Sequence, residues 1–353
     1  MKISIMGGWN TASGASLHCE LIGKEFVRAG HELNVFTFYK HAYHGSHITG
    51  IDQPYVSRCF THSRFNPVQL EAKPFIENDY ELFIAEDIGM LPKDHLKKIF
   101  DTHIRKKAKT ISVFHDNQLS NDPSFYQFDW DAIVAFDVRF KKILLNAFPK
   151  EKIHIIPYPC TSWKVGDQVS EREKLYLPLD KKIIFCFGDN PVRILKIIEW
   201  LNELHEDYPI LLLIVTRDLL VVQKYNEIKE TVKYEIEIKE EGPSINRLYK
   251  YMYAADAMLY YRDQTENVVV ASTILQCLGA GCPIVGNNSR YTELLEDEIF
   301  KYSNKEELVT AFKDIFDNSK RHKTILQNAK QYVELNSVQA VSLKFIQLKK
   351  NLE

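Results

Sequence analysis

The sequence predicts an α/β protein of two Rossmann-like, doubly wound domains facing a cleft, and three observations predict it. Short apolar runs alternate with longer amphipathic stretches through the first half of the chain, and again through the second. The stretches between runs are long enough for crossover helices, which favours parallel sheets. One polar stretch near the middle, 161–182, carries no clear apolar period and marks a seam between the halves. A chain of 353 residues, 45% hydrophobic and 26% charged, has the size of two ordinary domains with ample core.

In the first half, strands are predicted at KISIMG, ELNVFTF, YELFIA, KTISVFH, DAIVAF and KIHIIPY. In the second half they are predicted at KIIFCFG, ILLLIV, KYEIEI, DAMLYY, CPIVG and EIFKY. Between the first two runs, residues 17–30 place Leu17, Leu21, Ile22 and Phe26 on a helical face, and Gly30 is placed to stop the helix. Asp137, just after DAIVAF, is a good N-cap for the next helix. Late in the chain an apolar helix follows Thr265, Glu266 and Asn267, and ends at the Gly279–Pro283 punctuation, where proline cannot continue it.

Composition excludes several classes. The formal net charge of −2 gives no global basic field of the kind that duplex nucleic acid attracts. The six cysteines are scattered with no CxxC pair, which reads as reduced buried thiols and argues against structural zinc. The opening residues lack a secretory signal, and the densest apolar run, 209–215, is too short to span a bilayer. These features point to a cytoplasmic protein. One helix, 92–109, rings Leu96, Ile99, Phe100 and Ile104 with lysines and arginine; it reads as a core-packed element with a wet basic face, or as a peripheral contact with the inner membrane surface.

Five stretches could carry chemistry. In SIMGGWNTASGASLHCEL a strand runs through glycines into a helix, so amides near Ser13 and Gly14 either touch a phosphate or simply make the turn. The spacing of Gly7, Gly8 and Gly14 does not fit a dinucleotide fingerprint. His115 and Asp116 follow directly on a strand and so reach the sheet's carboxyl edge, where ligands bind in such folds. His115 there could hydrogen-bond a sugar hydroxyl or an acceptor, and Asp116 could orient the acceptor or cap the next helix. Asp129 and Asp131 form a DxD pattern, but they precede a strand rather than end one, which reads as structural.

The two remaining stretches lie in the second half. Arg193 and Lys196 sit three apart behind FGDNP, on one face of a helix, suited either to a diphosphate or to solvent. At 265–269 the amides of Asn267, Val268 and Val269 would form an anion-facing helix start, while Glu266 accepts hydrogen bonds from vicinal hydroxyls. The competing reading is a buried helix with a capping acid. Gln276, the polar side chain within the apolar stretch, would share a ligand with Glu266 only if the chain before roughly residue 270 is extended.

Taken in order, the glycine loop and helix closing in RAGHEL, the FHD strand end, KIHIIPYP, YKYMYAADAMLYYRDQTEN and LGAGCPIV resemble the retaining glycosyltransferase family 4, of GT-B fold. The resemblance covers most of the chain. It implies a first domain of 1–162 on the acceptor side, a second of 163–336 holding a nucleotide-diphosphate sugar, and a last helix of about 337–353 packing back on the first. It implies transfer of the sugar with retention to an acceptor hydroxyl (a glycan, a lipid-linked sugar or a small molecule), with no cofactor and no metal ligands. Glu266 would position the donor sugar, Gln276 would stand where the family has a ribose-binding glutamate, and Arg193, Lys196 and the more distant Arg262 would neutralise the diphosphate. Two departures, Asp189 in the family arginine's place and Gln276 itself, suggest the alternative of a non-catalytic protein that binds a nucleotide sugar or a protein partner in the same fold.

Overall fold

The computed structural model describes residues 1–11, 13–42 and 50–353. They form two compact units: 1–159 with 338–353, and 160–337.

The strands of the first unit are β1 (Lys2–Met6), β2 (Glu32–Phe38), β3 (Val56–Phe60), β4 (Leu82–Glu86), β5 (Lys109–Val113), β6 (Ala132–Ala135) and β7 (Ile153–Ile155). They form one seven-stranded sheet in the order β3-β2-β1-β4-β5-β6-β7. Every pairing is parallel. The chain steps outward from β1 to β3, then returns to place β4 on β1's other side. That reversal opens the sheet's carboxyl edge between β1 and β4. β4 is buried at every position, as its unbroken LFIAE run requires of a strand covered on both faces.

β3 was not among the predicted strands. Its VSRCF carries two polar residues in five; it pairs in parallel with β2, where the register shifts at Thr37/Phe38, and Phe60 makes an isolated antiparallel bridge to Leu70. As an edge strand it needs no continuous apolar run.

The helix Gly14–Arg28 starts behind Ser13, whose side chain accepts from the Ser16 amide. The helix Val338–Asn351 packs on this unit through buried Val341, Phe345 and Leu348, and the Phe345 ring lies 6.2 Å from that of His18. The basic segment turns Leu96, Ile99, Phe100 and Ile104 into the core, and its Phe100–Ile104 turn is π-helical. Lys97 pairs with Asp101 and Arg105 with Asp129. The apolar stripe is therefore spent on the core rather than presented to a membrane.

The second unit's strands are β8 (Lys182–Phe187), β9 (Ile210–Thr216), β10 (Glu235–Glu240), β11 (Ala257–Tyr260), β12 (Ile284–Asn287) and β13 (Phe300–Tyr302). Their order, β10-β9-β8-β11-β12-β13, is again parallel and again reverses beside its first strand. Polar 161–182 contains a helix, Gln168–Leu175, held by the buried Arg172, which pairs with Asp256 at 2.7 Å.

One expectation is corrected here. The helix predicted to start at 267–269 begins at Ser272 and runs only to Leu278. Residues 265–271 are non-helical, because three consecutive valines, Val268–Val270, resist a helix turn. The amides of Asn267, Val268 and Val269 therefore form no helix start.

Candidate functional site

At the carboxyl edge of the first sheet, three side chains from three elements meet. Glu86 is the last residue of β4, His115 lies two residues beyond β5, and His18 sits in the second turn of the helix Gly14–Arg28. His18 Nδ1 is 3.0 Å from each carboxylate oxygen of Glu86, and His115 Nε2 is 2.6 Å from Oε2. The His18 and Glu86 side chains are fully buried, and His115 is 10% exposed. Among the described residues this is the one group of histidine, cysteine and acid donors close enough to hold a metal ion.

Burial alone would raise the Glu86 pKa, but the two histidines outweigh it and hold the carboxyl at about 2. Burial alone would lower His115, but the hydrogen bond and charge of Glu86, with Asp87 and Asp116 behind it, raise it above the ordinary histidine value. Asp116 moves the other way from Glu86: burial and then Asp87 push it up to about 6. Asp87 is raised by burial too, and its backbone is left-handed at φ 54°. Gly89 lets the two aspartates crowd together, since a Cβ there would stand 3.2 Å from Asp116 Oδ1 and 3.4 Å from Asp87 Oδ1. The Oδ2 of Asp116 is buried without a hydrogen-bond partner.

Sequence reasoning placed His115 and Asp116 at this edge but missed Glu86, Asp87 and His18. Glu86 and Asp87 were open to the same argument, since they too follow directly on an apolar run. His18 gave less signal: it lies beside the predicted helical stripe, not in it. The Ser13 amide donates to the Thr11 carbonyl at 3.0 Å and so is spent within the turn. The Ser13 side chain caps the helix, and the Gly14 carbonyl accepts from the Tyr158 hydroxyl at 2.8 Å. The DxD acids are structural as well, with Asp131 accepting from the Thr110 amide and hydroxyl at 2.8 Å and Asp129 paired to Lys152 and Arg105.

The second sheet's carboxyl edge gathers cations. Buried Asn190 donates to the Leu259 carbonyl at 2.7 Å and accepts from the Tyr261 amide at 2.9 Å, tying the β8 turn to the end of β11. Arg262, just beyond β11, exchanges two 2.8 Å hydrogen bonds between its backbone and the Asn287 side chain. Its guanidinium lies 5.1 Å from the Tyr260 ring centre and 5.9 Å from that of Tyr291. Burial drives the Tyr260 phenol up to about 12, with Arg262 and Arg193 both opposing, so the two arginines share this corner. Arg193 Nε and Arg262 Nη1 are buried without hydrogen-bond partners. Lys196 is ion-paired to Asp263.

Glu266 and Asn267 lie exposed on the non-helical segment, where the Thr265 hydroxyl accepts from the Asn267 amide at 3.2 Å. Gln276 is half-buried in the helix Ser272–Leu278, and its carbonyl accepts from the Tyr249 hydroxyl at 2.7 Å. No helix among the described residues is long and apolar enough to cross a membrane.

Set against protein-family models, the chain matches none. Solved structures match its fold from end to end. A glycosyltransferase from Rickettsia africae shares 14% identity over 99% of this chain and 98% of its own, with a TM-score of 0.68. Anabaena HepE, solved with UDP and glucose, shares 14% over 99% and 100%, also at 0.68. Sucrose-phosphate synthase from Thermosynechococcus elongatus shares 15% over 100% and 99%, at 0.66. Two parallel α/β units, matched along their whole length by these proteins, give the chain the GT-B fold of glycosyltransferases.

Proposed function

We propose that this protein is a glycosyltransferase that moves a sugar from a nucleotide-diphosphate sugar to an acceptor hydroxyl, with retention and without a metal ion at the diphosphate. The observation that carries the reading is the pair of buried, unpartnered guanidinium nitrogens of Arg193 and Arg262 at the second sheet's carboxyl edge. A buried cationic donor without an acceptor is costly, and a diphosphate oxygen satisfies it with a charge-assisted bond. Solved relatives of the fold add support: HepE was captured with UDP and glucose, and pneumococcal GtfA with UDP and GlcNAc.

In this reading the second unit holds the donor. Arg193 and Arg262 take the charge that develops on the departing diphosphate, and Lys196 joins them on leaving Asp263. Glu266 accepts from donor-sugar hydroxyls, and Gln276 grips the ribose as a neutral partner. Within the first unit, His115, with Asp116 beside it, offers a hydrogen bond to a sugar hydroxyl or to the acceptor. The bond from the anomeric carbon to the diphosphate breaks, the bond to the acceptor oxygen forms on the same face, and the hydroxyl proton passes to the leaving phosphate oxygen. The reaction belongs on the cytoplasmic side, where nucleotide sugars are available.

The test is to incubate the protein with UDP- and GDP-sugars and measure nucleotide release. Glu266→Ala should cut release about 100-fold or more with folding intact, the scale on which such contacts act. Unchanged turnover removes Glu266 from the site. A second reading, a binder without transfer, is favoured by the Lys196–Asp263 pair, which sequesters a cation the reaction would use. Nucleotide-sugar binding with no release selects it.

A further inference from the structure

Glu86 is a fully buried carboxylate with no exposure of its own, so it cannot touch a ligand directly. What it can do is govern His115. The 2.6 Å contact to Nε2 is in the range of a charge-assisted hydrogen bond, and it consumes one of the ring's two nitrogens. The other, Nδ1, has no hydrogen-bond partner among the described residues.

A bridging metal ion is the competing explanation for two imidazoles around one carboxylate. Two ligands of one tetrahedral zinc-class ion, bonded at about 2.0–2.2 Å, stand roughly 3.3 Å apart. The His115 contact, at 2.6 Å, is shorter than such a pair and is right for a shared proton. His18 supplies the second hold. Its Nδ1–H donates to both oxygens, and its ring is fixed by Phe136 and Tyr158, each 5.2 Å away, and by Phe345 at 6.2 Å. The chain of contacts runs from a rigid helix through Glu86 to the ring at the sheet's edge, and Phe136 packs edge-on against that ring at 4.9 Å.

We propose that Glu86, itself braced by His18, is the positioning residue for His115: it grips Nε2–H and leaves Nδ1 as the ring atom that meets a sugar oxygen. The identity of that ligand rests on the glycosyl-transfer reading above; the grip on the ring does not. The groups facing the ring are acidic on balance. Glu86 and Asp87 come from the end of β4 and Asp116 from its own loop, with His18 from the first helix. Lys93 acts on Asp87 and Asp116, and Arg64 on Asp116. The imidazolium form persists to higher pH than in free histidine, and in that form Nδ1–H donates to an oxygen of the ligand. That donation is present below the raised His115 pKa and lost as pH rises through it.

The experiment uses the whole chain with 15N-labelled histidine, with His115→Gln to assign the resonances, and follows both ring nitrogens through a pH titration. The expected result is an Nε2 that stays protonated throughout, and a ring that loses its second proton at higher pH than free histidine. In Glu86→Gln the midpoint should fall, with at least about a tenfold loss in proton affinity, one pKa unit. An Nε2 that is bare or metal-bound in the wild type overturns the proposal, as does a midpoint that Glu86→Gln leaves in place. Should that variant fail to fold, the wild-type ring decides alone. With a releasing donor in hand, Glu86→Gln should lower kcat far more than it changes donor KM and move the alkaline limb to lower pH, while Glu86→Asp recovers part. If no nucleotide sugar is turned over, the transferase reading fails, and the titration of the ring nitrogens still tests the grip of Glu86 by itself.

Discussion

Two carboxyls at the first sheet's edge are driven apart, and they make opposite demands on stability. Glu86, held at about 2, contributes stability that is complete above the ordinary glutamate range and is lost as pH falls from there toward 2. Asp116, raised to about 6, prefers its neutral form, so the fold weakens as pH climbs from the ordinary aspartate range to about 6 and stays weakened above it. Asp116→Asn should therefore raise stability at neutral pH by about 2 kcal/mol and give nothing in strong acid. Urea unfolding at the two pH values checks it, and an equal gain at both removes the charge argument. Paying for a buried, partly unpartnered carboxylate is common where a ligand will later satisfy it. His115 and Asp116 could be read from the sequence because position after an apolar run fixes them at the edge. Their partner His18 could not, because its burial comes from tertiary neighbours, Phe136, Tyr158 and Phe345, far away in the sequence.

Among elements, two glycines that look alike in sequence do different work. Gly30 closes the first helix at φ 83° with open space around it, so an alanine there meets only the backbone cost of a left-handed residue, about 1 kcal/mol. Gly279 ends the short helix Ser272–Leu278 against the chain at 161–164, and a Cβ would stand 2.1 Å from the Thr161 carbonyl oxygen. Gly279→Ala should cost about 3 kcal/mol, because backbone cannot rotate out of the way. The denaturant midpoint should drop with an unchanged slope. Equal losses at the two positions would show that collision with Thr161 does not set the cost. All twelve predicted strands form: central strands such as β9 are buried apolar runs that sequence displays directly, and the edge strand β10 shows as alternation in EIEI. The helix start at Ser272 was hidden because Glu266 and Asn267 look like capping residues, while the segment through the valines that follow is not helical.

For the molecule as a whole, the division of the chain matters more than any one contact. The helix Val338–Asn351 belongs to the first unit, where Val341 and Phe345 are fully buried. Ending the chain after Ser337 removes both and uncovers the surface they pack on, and the burial of each such side chain is worth about 1.5–3 kcal/mol. Hydrogen exchange should then show β1, β4 and β5 losing protection while β8 and β9 keep theirs. Uniform loss in both sheets would mean that the units do not hold their stability separately.

The second unit is one uninterrupted run, whereas the first is written in two pieces with the second between them. A ribosome thus delivers the seven-stranded sheet early and its covering helix only after the second unit. For the tens of seconds that synthesis of the intervening residues takes, on the order set by ordinary elongation rates, the seat of Phe345 beside His18 stands open. The half of the protein born first is completed only after the whole of the second unit has been made.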